Sequence, residues 1–341
     1  MNSRVVTFGE IMLRLTPPGY QRLIQARSLE MTYGGAEANV AVALARFGLD
    51  VSYVTRLPQN PLGDAVIEEL RRYGVDTSYI VRGGERLGTY YLERGAGVRG
   101  SEVLYDRTGS AIASAGAKDF DWESIFYGAD WFHFTGITPA LSEEVLGATT
   151  EACKTAKELG VTISCDINFR SKLWDPEAAG KKLGELLQYV DICIVNEEHA
   201  AMLFGIQAPG KEIHRDAFSR EGSLYVSSEL MDKYKLRKVA ITYRRTISAN
   251  ENRWWATLYD GTDIYLSREY HLDIVDRVGS GDAFSGGLIY ALLEDEDCQF
   301  AVEFGAASCA LKHTVEGDFS QAYREEIIEL MGGHTKGAVN R

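Results

Sequence analysis

The sequence lacks the features that mark several classes of protein. Its lysines and arginines do not cluster, and 36 of them stand against 49 acidic residues, which makes the net charge −13. Such a chain repels nucleic acids and anionic membrane surfaces. No stretch approaches the roughly 18 apolar residues of a membrane span, and residues 1–12 do not resemble a signal peptide. We therefore expect neither a nucleic-acid partner nor a membrane partner.

Cysteine is also scarce. The five cysteines are odd in number, widely spaced and without a C-x-x-C pair, which argues against a disulfide framework and against a zinc site. A reducing, cytoplasmic location fits this pattern. Apolar residues make up 45% of the 341 residues and charged residues 25%, as in an ordinary globular protein, and the length suffices for two domains or for one large domain with an insertion.

The apolar pattern predicts an α/β fold. From Trp131 onward short apolar strands alternate with amphipathic helices, which is typical of a mainly parallel sheet covered on both faces. Two hairpin-like stretches interrupt the pattern and predict a small second sheet. We assign residues 1–10, 33–87 and 109–331 to the main domain, residues 11–32 and 88–108 to the small sheet, and residues 332–341 to a flexible tail.

The strongest local signal is the segment 276–282, D-R-V-G-S-G-D, a glycine-dense turn that leads into an apolar helix. Glycines let backbone N–H groups converge on an anion at the positive end of a helix, which is a common way of holding phosphate. A carboxylate in that first turn repels phosphate, but it suits a base that takes a proton from an attacking hydroxyl. From spacing alone, a simple helix cap at Asp282 fits equally well.

A second glycine-rich segment adds a family resemblance. Gly34-Gly35-Ala36-Glu37-Ala38-Asn39 resembles the N-terminal signature of the ribokinase-like, PfkB-type carbohydrate kinases, and Asp276–Gly287 resembles their C-terminal signature. The resemblance implies a three-layer α/β/α sandwich with a β-sheet lid, ATP as phosphoryl donor and Mg²⁺ as cofactor. It leaves open whether a monovalent cation is also required.

The same resemblance implies roles for the residues of both signatures. Asp282 becomes the catalytic base, with Gly279, Ser280 and Gly281 as the anion hole for the γ-phosphoryl group. Gly34 and Asn39 line the sugar pocket. Asp276 contacts either a sugar hydroxyl or the backbone of its own turn.

Arginine near the lid indicates the kind of sugar, because a sugar acid carries a carboxylate that matches the planar guanidinium fork. The stretch Tyr105-Asp106-Arg107-Thr108-Gly109 resembles the lid segment of the 2-keto-3-deoxygluconate kinases in that family. By this resemblance the sugar acid is contacted by Gly34, Tyr90, Tyr105, Arg107, Arg170 and Asp318.

Each of these assignments has a simpler alternative. Arg107 can be a surface charge of the lid, and Arg170 can pair with Asp166 or serve the nucleotide. The two tyrosines, Tyr90 and Tyr105, can be sheet packing. Asp318 can be a solvated loop residue.

The nucleotide side departs from the family pattern. Tyr243-Arg244-Arg245 stands where many relatives have a glycine-containing turn, so the arginines either neutralise phosphate or form a solvated edge. We expect the nucleotide to contact Asn168, Asn196, Thr242, Arg244, Gly279 and Gly281. Asn196-Glu197-Glu198-His199 resembles the family's N-x-x-E magnesium motif, and Glu198 is the candidate metal residue, acting through water.

By this resemblance we expect an ATP-dependent kinase that phosphorylates the terminal C6 hydroxyl of 2-keto-3-deoxygluconate. Another specificity within the family is the first alternative: a fructokinase, a ribokinase or a 5-keto-2-deoxygluconate kinase. A sugar or nucleotide sensor without turnover is the second. Because exposed lid strands usually need covering, we also expect a homo-oligomer that forms through the lids.

Overall fold

The computed structural model describes residues 3–210 and 218–333, and of the predicted tail 332–341 all but the first two residues lie outside this part of the chain. Its strands are β1 Arg4–Phe8, β2 Met12–Thr16, β3 Glu30–Gly34, β4 Asp50–Leu57, β5 Ile80–Arg82, β6 Thr89–Glu93, β7 Glu102–Asp106, β8 Trp131–Thr135, β9 Thr162–Asp166, β10 Ile192–Val195, β11 Lys238–Thr246, β12 Glu251–Tyr259, β13 Ile264–Leu266 and β14 Tyr270–Asp273.

The helices complete the α/β pattern. They are α1 Ala36–Arg46, α2 Pro61–Arg72, α3 Trp122–Phe126, α4 Glu143–Glu158, α5 Pro176–Leu187, α6 Glu197–Phe204, α7 Arg220–Tyr234, α8 Ser280–Leu293, α9 Cys298–Lys312 and α10 Arg324–Met331. Local sequence explains the start of α2, where the Asn60 side chain accepts hydrogen bonds from the N–H groups of Leu62 and Gly63, both at 3.1 Å. Pro61 occupies the first helical position, where its missing N–H is harmless.

A ten-stranded sheet forms the middle layer, in the order β13-β12-β11-β10-β9-β8-β1-β4-β5, with β14 paired to β12. The strands from β11 to β5 along this order are parallel, and β12, β13 and β14 are antiparallel. Side chains alternate between the two faces: Val5 belongs to the buried cluster that includes residues of α1, α8 and α9, whereas Val6 belongs to the one that includes residues of α4, α5 and α7. The predicted three-layer α/β/α fold is therefore confirmed.

Strands β3, β2, β6 and β7, in that order, form a separate sheet that we call the small sheet. Strand β2 pairs antiparallel with β3 and parallel with β6, and β6 and β7 form an antiparallel hairpin. The inner face of the small sheet buries Met12, Tyr90 and Leu92, which pack against Val278 of the main body. This contact places the small sheet over the turn that opens α8.

One stretch differs from the sequence-based expectation. The apolar pattern predicts that β11 ends at Thr242, with a polar segment following, but the strand continues through Thr246 and pairs with β12 from Val239 to Thr246. Cross-strand partners such as Trp254 opposite Arg244 extend the hairpin past the point where hydrophobic alternation ends. Pairing with β12 therefore overrides the local polar pattern.

Candidate active site

A cavity of about 710 Å³ lies at the carboxyl ends of the parallel strands, where open α/β sheets bind their ligands. The loops after β1, β9 and β10 contribute Glu10, Asn168 and Asn196 to its walls, and the start of α8 lies beneath it. Tyr90 of the small sheet closes one side. Residues of both glycine-rich segments and of the small sheet therefore line one cavity.

The turn before α8 has the backbone geometry of an anion site. Gly279 has a φ of 82°, in the left-handed region, and a Cβ there would lie 2.0 Å from the carbonyl oxygen of Asp318. A Cβ at Gly281 would meet nothing within 4 Å, so this residue faces open space. The Ser280 N–H donates to the carbonyl oxygen of Arg277 at 3.3 Å. The N–H groups of Gly281 and Asp282 precede the first hydrogen bond of the helix, so they are available to an anion.

Asp282 is the acidic residue of the first turn of α8. Asn39 Nδ2 donates a hydrogen bond to Asp282 Oδ2 at 2.6 Å, and Asn39 Oδ1 accepts from the N–H of Gly35 at 3.3 Å. Helix α8 begins at the cap residue Gly279 without a side-chain cap, which disfavours the helix-cap interpretation of Asp282. Burial raises the pKa of the Asp282 carboxyl to about 6, against the hydrogen bond from Asn39 and the charge of Arg170.

Sequence reasoning did not assign a role in the site to two further carboxyls, the half-buried Asp166 and the buried Glu37. Asp166, at the end of β9, lines the cavity, and burial together with the charge of Asp282 raises its pKa to about 7. Glu37 Oε1 accepts hydrogen bonds from Thr135 N and Oγ1, both at 2.8 Å, and burial raises the pKa of Glu37 to about 7. The only sequence signal for Asp166 is its place at the end of a buried strand.

At the other end of the cavity, Asp318 lies between both sheets. Tyr90 Oη donates to Asp318 Oδ2 at 2.6 Å, and Arg14 Nη1 donates to Asp318 Oδ1 at 2.7 Å. A Cβ at Gly34 would lie 1.9 Å from Asp318 Oδ2, so only glycine fits beside this carboxylate. Asp318 is 4% exposed, which excludes the solvated-loop alternative.

Asp276 is buried behind the cavity and does not line it. Its Oδ2 accepts from Arg14 Nη2 at 2.5 Å and from the N–H of Gly317 at 3.3 Å, and its Oδ1 accepts from the N–H of Val278 at 3.1 Å. Of the two roles left open by the sequence, the structure favours the turn-forming one over contact with a sugar hydroxyl.

Arg14 is the third residue that sequence reasoning missed. Its side chain is 1% exposed and joins β2 of the small sheet to Asp276 and Asp318 of the main body. The sequence does carry a signal, since an arginine interrupts an otherwise apolar strand, M-L-R-L-T. A buried arginine requires paired acceptors, and no local pattern says where they are.

Arg107 lies in the cavity wall with its guanidinium paired to Glu10, and its side chain is 9% exposed, so it is not a free surface charge. Glu10 also accepts a hydrogen bond from Ser110 at 2.6 Å. The ring of Tyr105 lies 5.3 Å from the Arg107 guanidinium and 6.0 Å from the ring of Tyr90. Tyr90 and Tyr105 therefore combine sheet packing with a place in the cavity wall.

Arg170 lines the same cavity and is exposed to it. Its Nη1 donates to the carbonyl oxygens of Phe169 and Asn168, at 3.1 and 3.4 Å. Its positive charge lowers the pKa of both Asp166 and Asp282, against the larger effect of burial. Arg170 thus brings a positive charge into the cavity close enough to act on both carboxyls.

Thr242, Arg244 and Arg277 form the opposite wall, next to the 279–281 turn. Arg277 Nη2 donates to the carbonyl oxygen of Ala249 at 2.9 Å. Burial and the charge of Arg244 lower the pKa of Arg277. Two guanidinium groups that repel each other beside an anion-binding turn are suited to a polyanion.

The start of α6 carries the candidate metal residues. Asn196 Oδ1 accepts from the N–H of His199 at 2.7 Å and caps the helix, while Glu198 lines the cavity. Within residues 3–210 and 218–333 no group of three His, Cys, Asp or Glu side chains could hold a metal by itself. A hydrated Mg²⁺ that shares phosphate oxygens with one carboxylate needs no such group, so these residues fit it.

Fold and site together define a phosphoryl-transfer enzyme for a small hydroxylated substrate, and the sequence identifies its family. Residues 2–322 match the pfkB family of carbohydrate kinases, and the chain belongs to this family. In the part of the chain that the structure describes, no helix is long and apolar enough to cross a membrane.

Three relatives are similar to the chain over nine-tenths or more of their length. The 2-dehydro-3-deoxygalactonokinase of Haloferax volcanii is 35% identical over 99% of both chains. The 2-dehydro-3-deoxygluconokinase of Bacillus subtilis is 28% identical over 93% of this chain and 92% of its own. The crystal structure of the 2-dehydro-3-deoxygluconokinase of Thermotoga maritima superposes with a TM-score of 0.93 at 49% identity, covering 97% of this chain and all of the other.

Proposed function

We propose that the protein transfers the γ-phosphoryl group of ATP to the terminal C6 hydroxyl of 2-keto-3-deoxygluconate, the compound called 2-dehydro-3-deoxygluconate in the names of its relatives. The observation that carries this proposal is the buried Asp282 carboxylate beside the amide groups of the 279–281 turn, in one cavity with Arg107 and Arg170. The product is 2-keto-3-deoxy-6-phosphogluconate.

The chemistry follows from the placement of Asp282. Asn39 holds Oδ2, which leaves Oδ1 to take the proton of the sugar hydroxyl as its oxygen attacks the γ-phosphorus. The bond between the γ-phosphorus and the bridging oxygen then breaks, and ADP leaves. The amide groups of the turn stabilise the charge on the transferred group. A pKa of about 6 suits a base that works near neutral pH and releases its proton afterwards.

Arg244 and Arg277 are the proposed contacts of the nucleotide phosphates, with Thr242, Asn168 and Asn196 lining the same side. Mg²⁺, bound with ATP, would neutralise phosphate charge, and Glu198 would hold it through water. The arginine pair thereby replaces, by charge, the glycine-containing turn that the family pattern leads one to expect after Thr242.

The carboxylate of the sugar acid is assigned to Arg107 and Arg170. Glu10 holds the Arg107 side chain in the cavity wall, so its guanidinium is preorganised and little side-chain entropy is lost on binding. Tyr90, Tyr105, Gly34 and Asp318 then surround the hydroxyl groups. A neutral sugar offers these guanidinium groups no carboxylate to bind and so binds less well.

A substrate panel tests this proposal. Purified protein is given MgATP with 2-keto-3-deoxygluconate, its galactonate epimer, 5-keto-2-deoxygluconate, fructose or ribose, and ADP release is measured. We expect the highest kcat/KM with the two 2-keto-3-deoxy acids. Preference for fructose or ribose contradicts the carboxylate assignment, and absence of turnover with every sugar supports the sensor alternative.

The galactonate epimer is a second candidate substrate, favoured by the 35% identity to the Haloferax volcanii relative. The two acids differ in the configuration of a single hydroxyl, so their discrimination depends on the groups that face it. The ratio of the two kcat/KM values in the same panel decides between them.

The small sheet is the proposed contact between copies of the chain. Its outer side and adjoining loop expose Ile24, Met31 and Leu104, at 92%, 56% and 46%. Covering such residues removes apolar surface and protects strand edges. Sedimentation equilibrium at micromolar concentration should show a dimer or larger assembly, and a monomer contradicts this.

A further inference from the structure

Lys312 is a buried cation for which the mechanism above has no use. It is the last residue of α9 and has no exposed surface. Its Nζ donates to the carbonyl oxygens of Asp276 and Val315, at 3.3 Å each. An ammonium group inside a protein needs several oxygen partners to replace its water, and here two of them are backbone carbonyls of separate loops.

The charge of Lys312 also completes a neutral buried cluster. Arg14 forms ion pairs with Asp276 and Asp318, so these three groups alone carry one excess negative charge. Burial lowers the pKa of Lys312, while the charges of Asp276 and Asp318 oppose that effect. The net charge of the four groups is therefore zero only when Lys312 is protonated.

The two loops bridged by Lys312 are those that shape the anion site. Asp276 opens the 276–282 segment, and its side chain accepts from the N–H of Val278, one residue before Gly279. Val315 is the first residue of the segment 315–318. The carbonyl oxygen of Asp318, at the end of this segment, lies so close to Gly279 that a Cβ there would be 2.0 Å from it. A shift between these loops moves the amide groups of the turn relative to Asp282.

We propose that the Lys312 ammonium is a built-in cation that fixes the 276–278 loop to the 315–318 loop and thereby positions the anion-binding turn. It acts through backbone groups and is a positioning residue, because it does not line the cavity. Since the ammonium occupies the space between the two carbonyls, turnover requires no added monovalent cation. This inference rests on the proposed kinase function.

The test uses Lys312→Ala, which leaves space between the carbonyls, and Lys312→Met, which fills it without charge. Lys154→Met, at an exposed position of α4, is the matched control. We expect kcat to fall about 100-fold in both variants, with KM for ATP within about threefold, because small displacements of a reacting group have effects of this size. K⁺ or NH₄⁺ should raise the kcat of the alanine variant at least about tenfold. Tetramethylammonium at equal ionic strength should not raise it.

Rescue that depends on cation size is not expected of a variant that is merely unfolded. The methionine variant should not respond to K⁺, and the wild-type rate should be the same in K⁺ and tetramethylammonium salts. Strong activation of the wild type by K⁺ overturns the proposal, and this measurement needs no variant to fold. Full activity of either variant in tetramethylammonium salt overturns it as well.

A readout without turnover separates this inference from the kinase assignment. Crystals of the Lys312→Ala variant soaked in rubidium chloride should show an anomalous peak between the carbonyl oxygens of Asp276 and Val315, and wild-type crystals should not. Absence of a peak in the variant overturns the proposal that the Lys312 ammonium acts as a built-in cation. A wild type that turns over no sugar contradicts the proposed function instead, and the rubidium result still decides on Lys312.

Discussion

Replacing Asp282 by asparagine tests the centre of the proposed mechanism with the smallest change in shape. The amide keeps an oxygen that can accept the 2.6 Å hydrogen bond from Asn39, so the local packing is retained. What is lost is the ability to take a proton. Any loss of activity therefore reports on base chemistry rather than on a collapsed site.

The expected loss follows from the contribution of general-base catalysis. Such groups accelerate reactions by about 10²- to 10⁴-fold. The variant should lose that factor in kcat, which is equivalent to about 2.7–5.4 kcal/mol of transition-state stabilisation at roughly 1.36 kcal/mol per tenfold. In the wild type, kcat/KM should fall as the pH drops through about 6, where the carboxylate becomes protonated, and the variant should lack this dependence.

The same substitution should make the protein more stable at high pH. Burial raises the pKa of Asp282 in the folded protein from 3.8 to about 6, so stability is highest below the unfolded value and is lost as the pH rises through the folded one. At roughly 1.36 kcal/mol per pH unit, the ionised carboxylate destabilises the folded state by about 3 kcal/mol at pH 8. The Asp282→Asn variant should therefore have a higher free energy of unfolding than the wild type at pH 8, and about the same free energy of unfolding below pH 4.

Two measurements on each protein check the reasoning: ADP release with 2-keto-3-deoxygluconate, and urea unfolding at pH 8 and pH 4. Asp232→Asn, at an exposed position of α7, controls for the loss of one negative charge. A kcat within about tenfold of wild type refutes the role of Asp282 as base. A variant that loses activity and is less stable at pH 8 shows structural damage, and this contradicts the expected gain in stability.

Three further substitutions probe the rest of the site. Arg107→Met should raise KM for the sugar acid by at least about tenfold and affect any neutral sugar less, since only the acid has a carboxylate to lose its partner; equal losses refute the assignment. Arg244→Met should raise KM for ATP several-fold and leave KM for the sugar unchanged. A change in KM for the sugar alone contradicts the assignment of Arg244 to the nucleotide phosphates. Arg14→Met should reduce the free energy of unfolding by about 3–5 kcal/mol, because it leaves buried carboxylates unpaired; urea unfolding that shows less than about 1 kcal/mol contradicts the importance of this cluster.

Much of the fold follows from local pattern. Apolar strands alternating with amphipathic helices predict a parallel sheet with helices on both faces, and the structure has this arrangement. The cap at Asn60 and the two interruptions that form the small sheet are also local signals. Local pattern misjudges the end of β11, because the length of a hairpin depends on its partner strand.

Two short segments, 34–39 and 276–287, contain Gly34, Gly279 and Asp282, which is why the sequence alone singles out these residues. Their mutual arrangement is a tertiary property. The hydrogen bond from Asn39 to Asp282 joins residues 243 positions apart, and Arg14 reaches Asp318 across 304 positions. Arg14 and Asp318 are buried where the small sheet packs on the main body. Their desolvation depends on everything that surrounds each group and not on its neighbours in the chain.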